Sequence, residues 1–305
     1  MPRTKRGIVV LVAAVVLLLG AAAGYSRTSE MVIPDDPPGG GGPAYPAEKV
    51  ESAVVEEINT SGSADYFIWM MSQADLGPAA ALRTKAEKGL FVYNALTQMA
   101  NSSQASLRAS LDSQGVTYES LYIVNGILVR GGTLATLADA ANRADVREIT
   151  ANHEFQADLP PTDTPPAAAG IESNILFVGA DIVWNRGQTG QGSVLAANDT
   201  GLDEDHPAIK SHYRGCLNPP TCTSEDHHYD WWDATRTYLT DPFDGNSHGT
   251  HVTGTMVGDD GGANRIGVAP GAKTIHCKNL NNGGGGTDAW ILECFQWDLA
   301  PWDLN

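Results

Sequence analysis

The chain has 305 residues, room for one large domain or for one large and one small. Hydrophobic residues at 42% and aromatics at 7% suffice for a globular core and argue against a wholly disordered chain. A formal net charge of -17 at pH 7 argues against nucleic acid as a partner, because a phosphate backbone repels such a surface.

The chain opens with "MPRTKR", carrying Arg3, Lys5 and Arg6, followed by the uncharged run "GIVVLVAAVVLLLGAAAGY". Ala21-Ala22-Ala23 offers a small-residue cleavage site, and the run is also about long enough to cross a bilayer. Residues 1–26 therefore read as a signal peptide or a membrane anchor. The residues beyond Ser26 are expected to be secreted, or anchored to the outer face of the membrane. Residues 27–47 are rich in proline and glycine and read as a linker; "ADLPPTDTPPAAAG" (157–170) reads as a second one.

Between the linkers lies a module, 48–156. "DYFIWMM" (65–71) has strand composition, and 81–115 repeats apolar residues at three- and four-residue spacing, as a helix does. "VTYESLYIV" and "GILVRG" come next as strands, with Asn125-Gly126 suited to a two-residue hairpin turn. "TLATLADAANRA" then reads as a helix and "VREITANHEF" as a last strand. The order β-α-β-β-α-β predicts a small α+β, ferredoxin-like module. Nothing in it looks catalytic.

Residues 171–305 alternate differently. "NILFVGADIVWNRG" looks helical, "QGSVLAAND" is a strand, and "HGTHVTGTMVG" is a helix studded with glycine. "KTIHCKNL" is a further strand and "TDAWILECFQWDLA" a further helix. This alternation predicts an α/β fold, a parallel sheet with helices on both faces, with chemistry at the carboxyl ends of the strands. Four cysteines suit an oxidising compartment, and two local disulfides, Cys216 with Cys222 and Cys277 with Cys294, are the simplest pairing. Free buried thiols are the alternative for Cys277 and Cys294. A zinc site is disfavoured, since no C-x-x-C pair exists.

Asp199 ends an apolar strand just before Thr200-Gly201, where a carboxylate can orient an imidazole. His248 begins the next helix, with His251 one turn on. Zinc-binding pairs on helices normally stand four apart around a glutamate, so spacing of three around Gly249-Thr250 argues against a metal, and no metal site is expected here. His251 reads better as a core residue. "SEDHHYDWWD" (224–233) reads as a solvated loop packed by Trp231 and Trp232, rather than as a metal site.

In that order "VLAANDTGLDEDHPAI", "SHGTHVTGTMVG" and "IGVAPGA" resemble the subtilisin-like serine proteases, the subtilases of peptidase family S8. "YDWWDA", "HCKNL" and "ECFQWDLAPWDLN" are similar to the bacillopeptidase F-like branch. The resemblance implies that Asp199 is the orienting acid and His248 the general base of an Asp/His/Ser triad acting on protein or peptide substrates. It further implies that 48–156 is an inhibitor-type propeptide, the chain's own partner. The tail of that propeptide, near 156–170, would lie in the substrate cleft, with 157–170 as the processing linker. Gly284, Gly285 and Gly286 fall where subtilases lay a strand beside the substrate; a plain flexible loop is the alternative. Calcium is the one ion the family suggests, near Asp259, Asp260 and Asn264, where no EF-hand spacing occurs.

No serine occurs after Ser247, and the family's G-T-S motif and oxyanion asparagine segment are absent. The chain is accordingly expected to be the N-terminal part of a catalytic domain, a C-terminally truncated fragment, inactive alone. The rival expectation is a non-catalytic secreted binding protein or protease inhibitor acting through 48–156.

Overall fold

The computed structural model describes residues 45–159, 170–261 and 264–302. The expected signal or anchor, most of the first linker, and 160–169 of the second lie outside the described residues. Among those described, no helix is long and apolar enough to cross a membrane. The chain forms two compact units that divide between Asn152 and His153.

The first unit contains α1 (Ser52–Ser61), β1 (Ala64–Met70), α2 (Lys85–Ser103), α3 (Ala105–Ser113), β2 (Thr117–Leu121), β3 (Gly126–Gly132), α4 (Leu134–Ala141) and β4 (Val146–Ala151). Its sheet runs β2-β3-β1-β4, every neighbouring pair antiparallel. Alternate residues of β1, Tyr66, Ile68 and Met70, meet Leu107, Leu111 and Leu137 in one core. The Thr84 side chain and Glu87 cap each other's backbone and start α2.

Two local expectations need correction, and one helix went unforeseen. The helix predicted over 81–115 divides at Gln104, which is fully buried. Its amide donates to Asn125 Oδ1 (2.9 Å) and Gly126 O (3.1 Å), and its Oε1 accepts from Ser120 Oγ (2.6 Å). Satisfying a buried amide outweighs continuing the helix. The β2–β3 connection is longer than a two-residue turn: Leu121 pairs with Gly126, so 122–125 form the loop, with Asn125 in the left-handed region at φ 49°. Helix α1 escaped the periodicity, because it buries only Val54 and Ile58.

The second unit contains β5 (Glu154–Gln156), β6 (Gly170–Ile171), α5 (Ser173–Phe177), α6 (Ala180–Trp184), β7 (Val194–Asp199), β8 (Trp231–Asp233), α7 (His248–Val257), β9 (Asn264–Arg265), β10 (Lys273–Lys278), β11 (Gly285–Thr287) and α8 (Asp288–Leu299). The sheet that positions the site runs β7-β10-β8, all parallel. Side-chain alternation separates its two faces. Ile275 and Cys277 of β10 pack on Cys294 and Trp297 of α8. Thr274, His276 and Lys278, also buried, point to the other face; there His276 stacks on Trp231. Lys278 lies in register with Asp199, so the tip of β7 faces α7 and not α8. Both local disulfides form, Cys216–Cys222 and Cys277–Cys294, the second tying β10 to α8.

The His276 ring is fully buried, and neither nitrogen has a hydrogen-bond partner among the described residues. Burial lowers its pKa from 6.5 to about 4, against the opposing pull of Asp199 and Asp244. The folded state thus holds this imidazole neutral where the unfolded chain protonates it. Stability that is complete above pH 6.5 should fall as the pH drops toward 4, by roughly 1.4 kcal/mol per unit. The wild type's unfolding free energy in urea, taken relative to His276→Phe at each pH, should fall across that range; Glu204 and Asp298, whose pKa values burial raises to about 7, add an opposite slope common to both proteins.

Candidate active site

Asp199 is the last residue of β7 and His248 the first of α7, and His248 Nδ1 lies 2.7 Å from Asp199 Oδ1. The same oxygen accepts the Thr200 backbone N–H at 2.7 Å. Exposure is 19% for the imidazole and 11% for the carboxylate, so the pair is shielded without being sealed from a substrate.

The two elements are locked at close range by small residues. A Cβ on Gly249 would lie 2.2 Å from Gly201 O and 3.1 Å from Asp199 Cβ, so α7 can approach the tip of β7 only through glycine. Gly201 has φ 133°, and a Cβ there would lie 1.9 Å from Phe243 O.

Around this contact sits Asp244, which sequence reading left without a role. Its Oδ1 accepts from Thr200 Oγ1 (2.9 Å), Asn246 N (3.0 Å) and Ser247 N (2.9 Å). Its Oδ2 accepts from Thr250 N (2.8 Å) and Thr250 Oγ1 (2.7 Å). Thr200 Oγ1 in turn accepts from Gly249 N at 2.9 Å. Asp244 thereby caps the start of α7 in place of Ser247, whose own side chain makes no cap. Its position five residues before Gly249, in "DGNSHG", was the available signal. From the other side, Asn279 N (3.1 Å) and Leu280 N (3.2 Å) both donate to Asp199 O. The fully buried Lys278 donates through Nζ to Thr200 O and to Asn282 Oδ1.

His251 is exposed on α7, not part of the core; its backbone N–H bonds Ser247 O at 3.0 Å. The glycines 284–286 do lie beside an extended strand, and it is the chain's own. β11 pairs antiparallel with β5, Gly285 opposite Gln156 and Gly286 opposite Phe155. Ala157 N donates to Gly284 O (3.0 Å), and Gln156 Nε2 to Gly283 O (2.6 Å). A Cβ on Gly286 would meet the Phe155 ring at 2.5 Å, and one on Gly284 the Leu159 side chain at 2.8 Å. Near the expected calcium loop, Asp259 Oδ1 accepts from Gly261 N at 2.8 Å. Asp259 and Asp260 gather no third acidic or histidine ligand among the described residues.

Residues 190–300 match the model of the subtilase family. The chain is 36% identical to Bacillopeptidase F of Bacillus subtilis over 240 residues, which is 74% of this chain and 16% of that protein. It is 26% identical to Subtilisin E of the same organism over 241 residues, 76% of this chain and 54% of that protein. The chain thus spans about half of one of these relatives and far less of the other. In fold it is similar to the crystal structure of the epidermin leader peptide processing serine protease of Staphylococcus aureus. The TM-score is 0.50 at 12% identity, covering 77% of this chain and 48% of that one.

Burial raises the Asp244 carboxyl, but the hydrogen bonds from Thr250, Asn246 and Thr200 outweigh it and hold the pKa below 3.8. The stability it contributes is present above pH 3.8 and is lost as the pH falls through its lowered folded value. Asp244→Ala leaves several donors without an acceptor and should lower unfolding free energy at neutral pH by at least about 2 kcal/mol. The loss should shrink as the pH falls below 4, as read by chemical denaturation at each pH.

Proposed function

Residues 190–300 belong to the subtilase family, and from that premise we propose that this chain is part of the precursor of an exported serine endopeptidase, with Asp199 as orienting acid and His248 as general base. The observation that carries this reading is the 2.7 Å contact between His248 Nδ1 and Asp199 Oδ1. With Nδ1–H donated to the carboxylate, Nε2 keeps its lone pair and can take a proton from a hydroxyl. The carboxylate then stabilises the imidazolium that results. Asp199 keeps its orientation because Thr200 N binds the same oxygen and Asn279 and Leu280 hold its carbonyl.

The hydroxyl is the missing party. No serine occurs after Ser247 in these 305 residues, while the family's order is Asp, His, Ser. Peptide hydrolysis is therefore proposed for the protein that brings a serine to Nε2, and not for these residues alone. Export rests on the basic, then apolar, N-terminal sequence.

Residues 48–156 are read as the inhibitory propeptide, and the strand at 154–159 as its tail. Support comes from the backbone ladder onto 283–287. It occupies the edge that a peptide substrate would extend, with glycines that admit close approach. The consequence is autoinhibition by strand addition: a substrate must displace Phe155 and Leu159 before it can pair.

The test is a chimera in which the part of Bacillopeptidase F that lies beyond its match to this chain is joined after residue 302. Casein hydrolysis is expected once the chimera is freed of 48–159. Asp199→Asn or His248→Ala should reduce it by about 10⁴-fold. A folded chimera whose activity is indifferent to His248→Ala contradicts the assignment.

A further inference from the structure

Away from the Asp199–His248 pair, three side chains from distant parts of the sequence converge. Oxygen or nitrogen atoms of Glu204, Glu225 and His227 all lie within 4.8 Å of one another. Each arrives on an element fixed for other reasons. Glu204 sits in the loop leaving β7, one residue after Asp203, whose backbone N–H bonds Thr250 Oγ1 at 2.9 Å. Glu225 sits on a small hairpin closed by the Cys216–Cys222 disulfide. There it bridges Cys216, and the flanking bonds are Leu217 N to Ser224 O (3.0 Å) and Asp226 N to Gly215 O (2.9 Å). His227 begins the turn into β8: its carbonyl accepts from Asp230 N and Trp231 N, both at 3.0 Å.

The imidazole is also held by its ring. Nδ1 lies 3.0 Å from the hydroxyl of Tyr213, a residue with no exposed surface, and the two ring centroids are 5.8 Å apart with the planes tilted by 31°. A second partner that orients a histidine ring is the usual companion of a metal-bound imidazole. On the opposite edge, Nε2 lies 3.6 Å from Asp241 Oδ1. Neither Glu204 nor Glu225 forms an ion pair among the described residues. Lys210, whose charge reaches both, is itself bonded to Asp205 at 2.6 Å. Two carboxylates at this separation repel, and a cation between them turns that repulsion into attraction.

We propose that Glu204, Glu225 and His227 bind a divalent transition metal of the zinc type. An imidazole with two carboxylates selects against calcium, which prefers an all-oxygen shell. Zinc bonds of about 2.0–2.2 Å place tetrahedral ligands roughly 3.4 Å apart, so small rotations of the two glutamates suffice to close the site. The remaining coordination falls to solvent. The ion would clamp the β7 exit loop to the disulfide-closed hairpin and the start of β8, a stabilising role separate from peptide hydrolysis. The sequence carried no spacing that announces it, because its ligands come from 204, 225 and 227 and not from one helix.

The experiment uses the full chain, stripped with EDTA and then titrated with zinc chloride or calcium chloride. Calorimetry measures affinity, and melting temperature is measured in parallel. Zinc should bind saturably and raise the melting temperature, while calcium at equal concentration should do neither. Glu225→Gln and His227→Gln should each weaken zinc binding at least about tenfold and abolish the shift. Glu204→Gln should abolish the shift as well, yet should hold or raise the melting temperature of the metal-free protein, because it removes a repulsion. A ligand variant that melts cooperatively and still gives the full zinc shift overturns the proposal. So does a wild-type chain that binds no zinc. Should any of the three Gln variants fail to fold, cobalt(II) in place of zinc on the wild type decides: a visible absorption band displaced stoichiometrically by zinc supports the site, and its absence overturns it.

Discussion

One carboxylate organises the functional end of this sheet. Asp244 is neither acid nor base in the proposed reaction, yet it accepts from Thr200, Asn246, Ser247 and Thr250 at once. Those bonds join the loop leaving β7 to the first turn of α7. Asp199 sits on one side of that junction and His248 on the other. Together with the Gly249 N–Thr200 Oγ1 bond and the glycine packing, Asp244 holds a strand end and a helix start, 49 residues apart, at a 2.7 Å contact. Five donors converging on two oxygens also explain why burial does not neutralise the group: hydrogen bonds to the charged form exceed its desolvation cost.

The same economy of polar partners extends to the loop after β10. Lys278 is a fully buried cation whose pKa is lowered by desolvation, against the pull of Asp233, Asp244 and Asp199. Its ammonium bonds the Thr200 carbonyl and Asn282, and Asn282 O in turn accepts from Asn246 at 3.0 Å. The loop that carries Gly283–Gly286 is thereby tied to the segment that carries His248. A strand laid along those glycines is held to the loop that Asn246 ties to the start of α7, and in this chain the strand is residues 154–157. His248 and the glycine-lined edge are thus parts of one hydrogen-bonded unit and not separate features.

Much of this is legible in the order of residues alone. The run "SVLAAND" marks a strand because it is nearly continuous in apolar and small residues, while "KTIHCKNL" alternates, with Ile275 and Cys277 on one face and Thr274, His276 and Lys278 on the other. Asp199 ends one such strand and His248 opens the helix "HGTHVTGTMVG", and the resemblance of those two motifs to the subtilases singles the pair out. What escapes has physical reasons. Strand β8 is three residues long, too short for any period to show. Helix α1 buries only two of its side chains, too few to set a stripe. Gln104 interrupts a helix through bonds to 120 and 125–126, partners that a helix-length window does not contain. Asp244 looks like a turn residue, and Glu204, Glu225 and His227 like solvated loops. In each case the signal is a convergence in space that linear spacing does not encode.

The central claim is that Asp199 fixes the His248 ring with its proton on Nδ1, leaving Nε2 as the base. Nitrogen-15 NMR of the imidazoles at neutral pH measures this directly. The claim predicts a His248 ring carrying its proton on Nδ1, with a strongly low-field proton resonance that disappears in Asp199→Asn. A His248 ring protonated on Nε2, or a low-field resonance unchanged by Asp199→Asn, would contradict it.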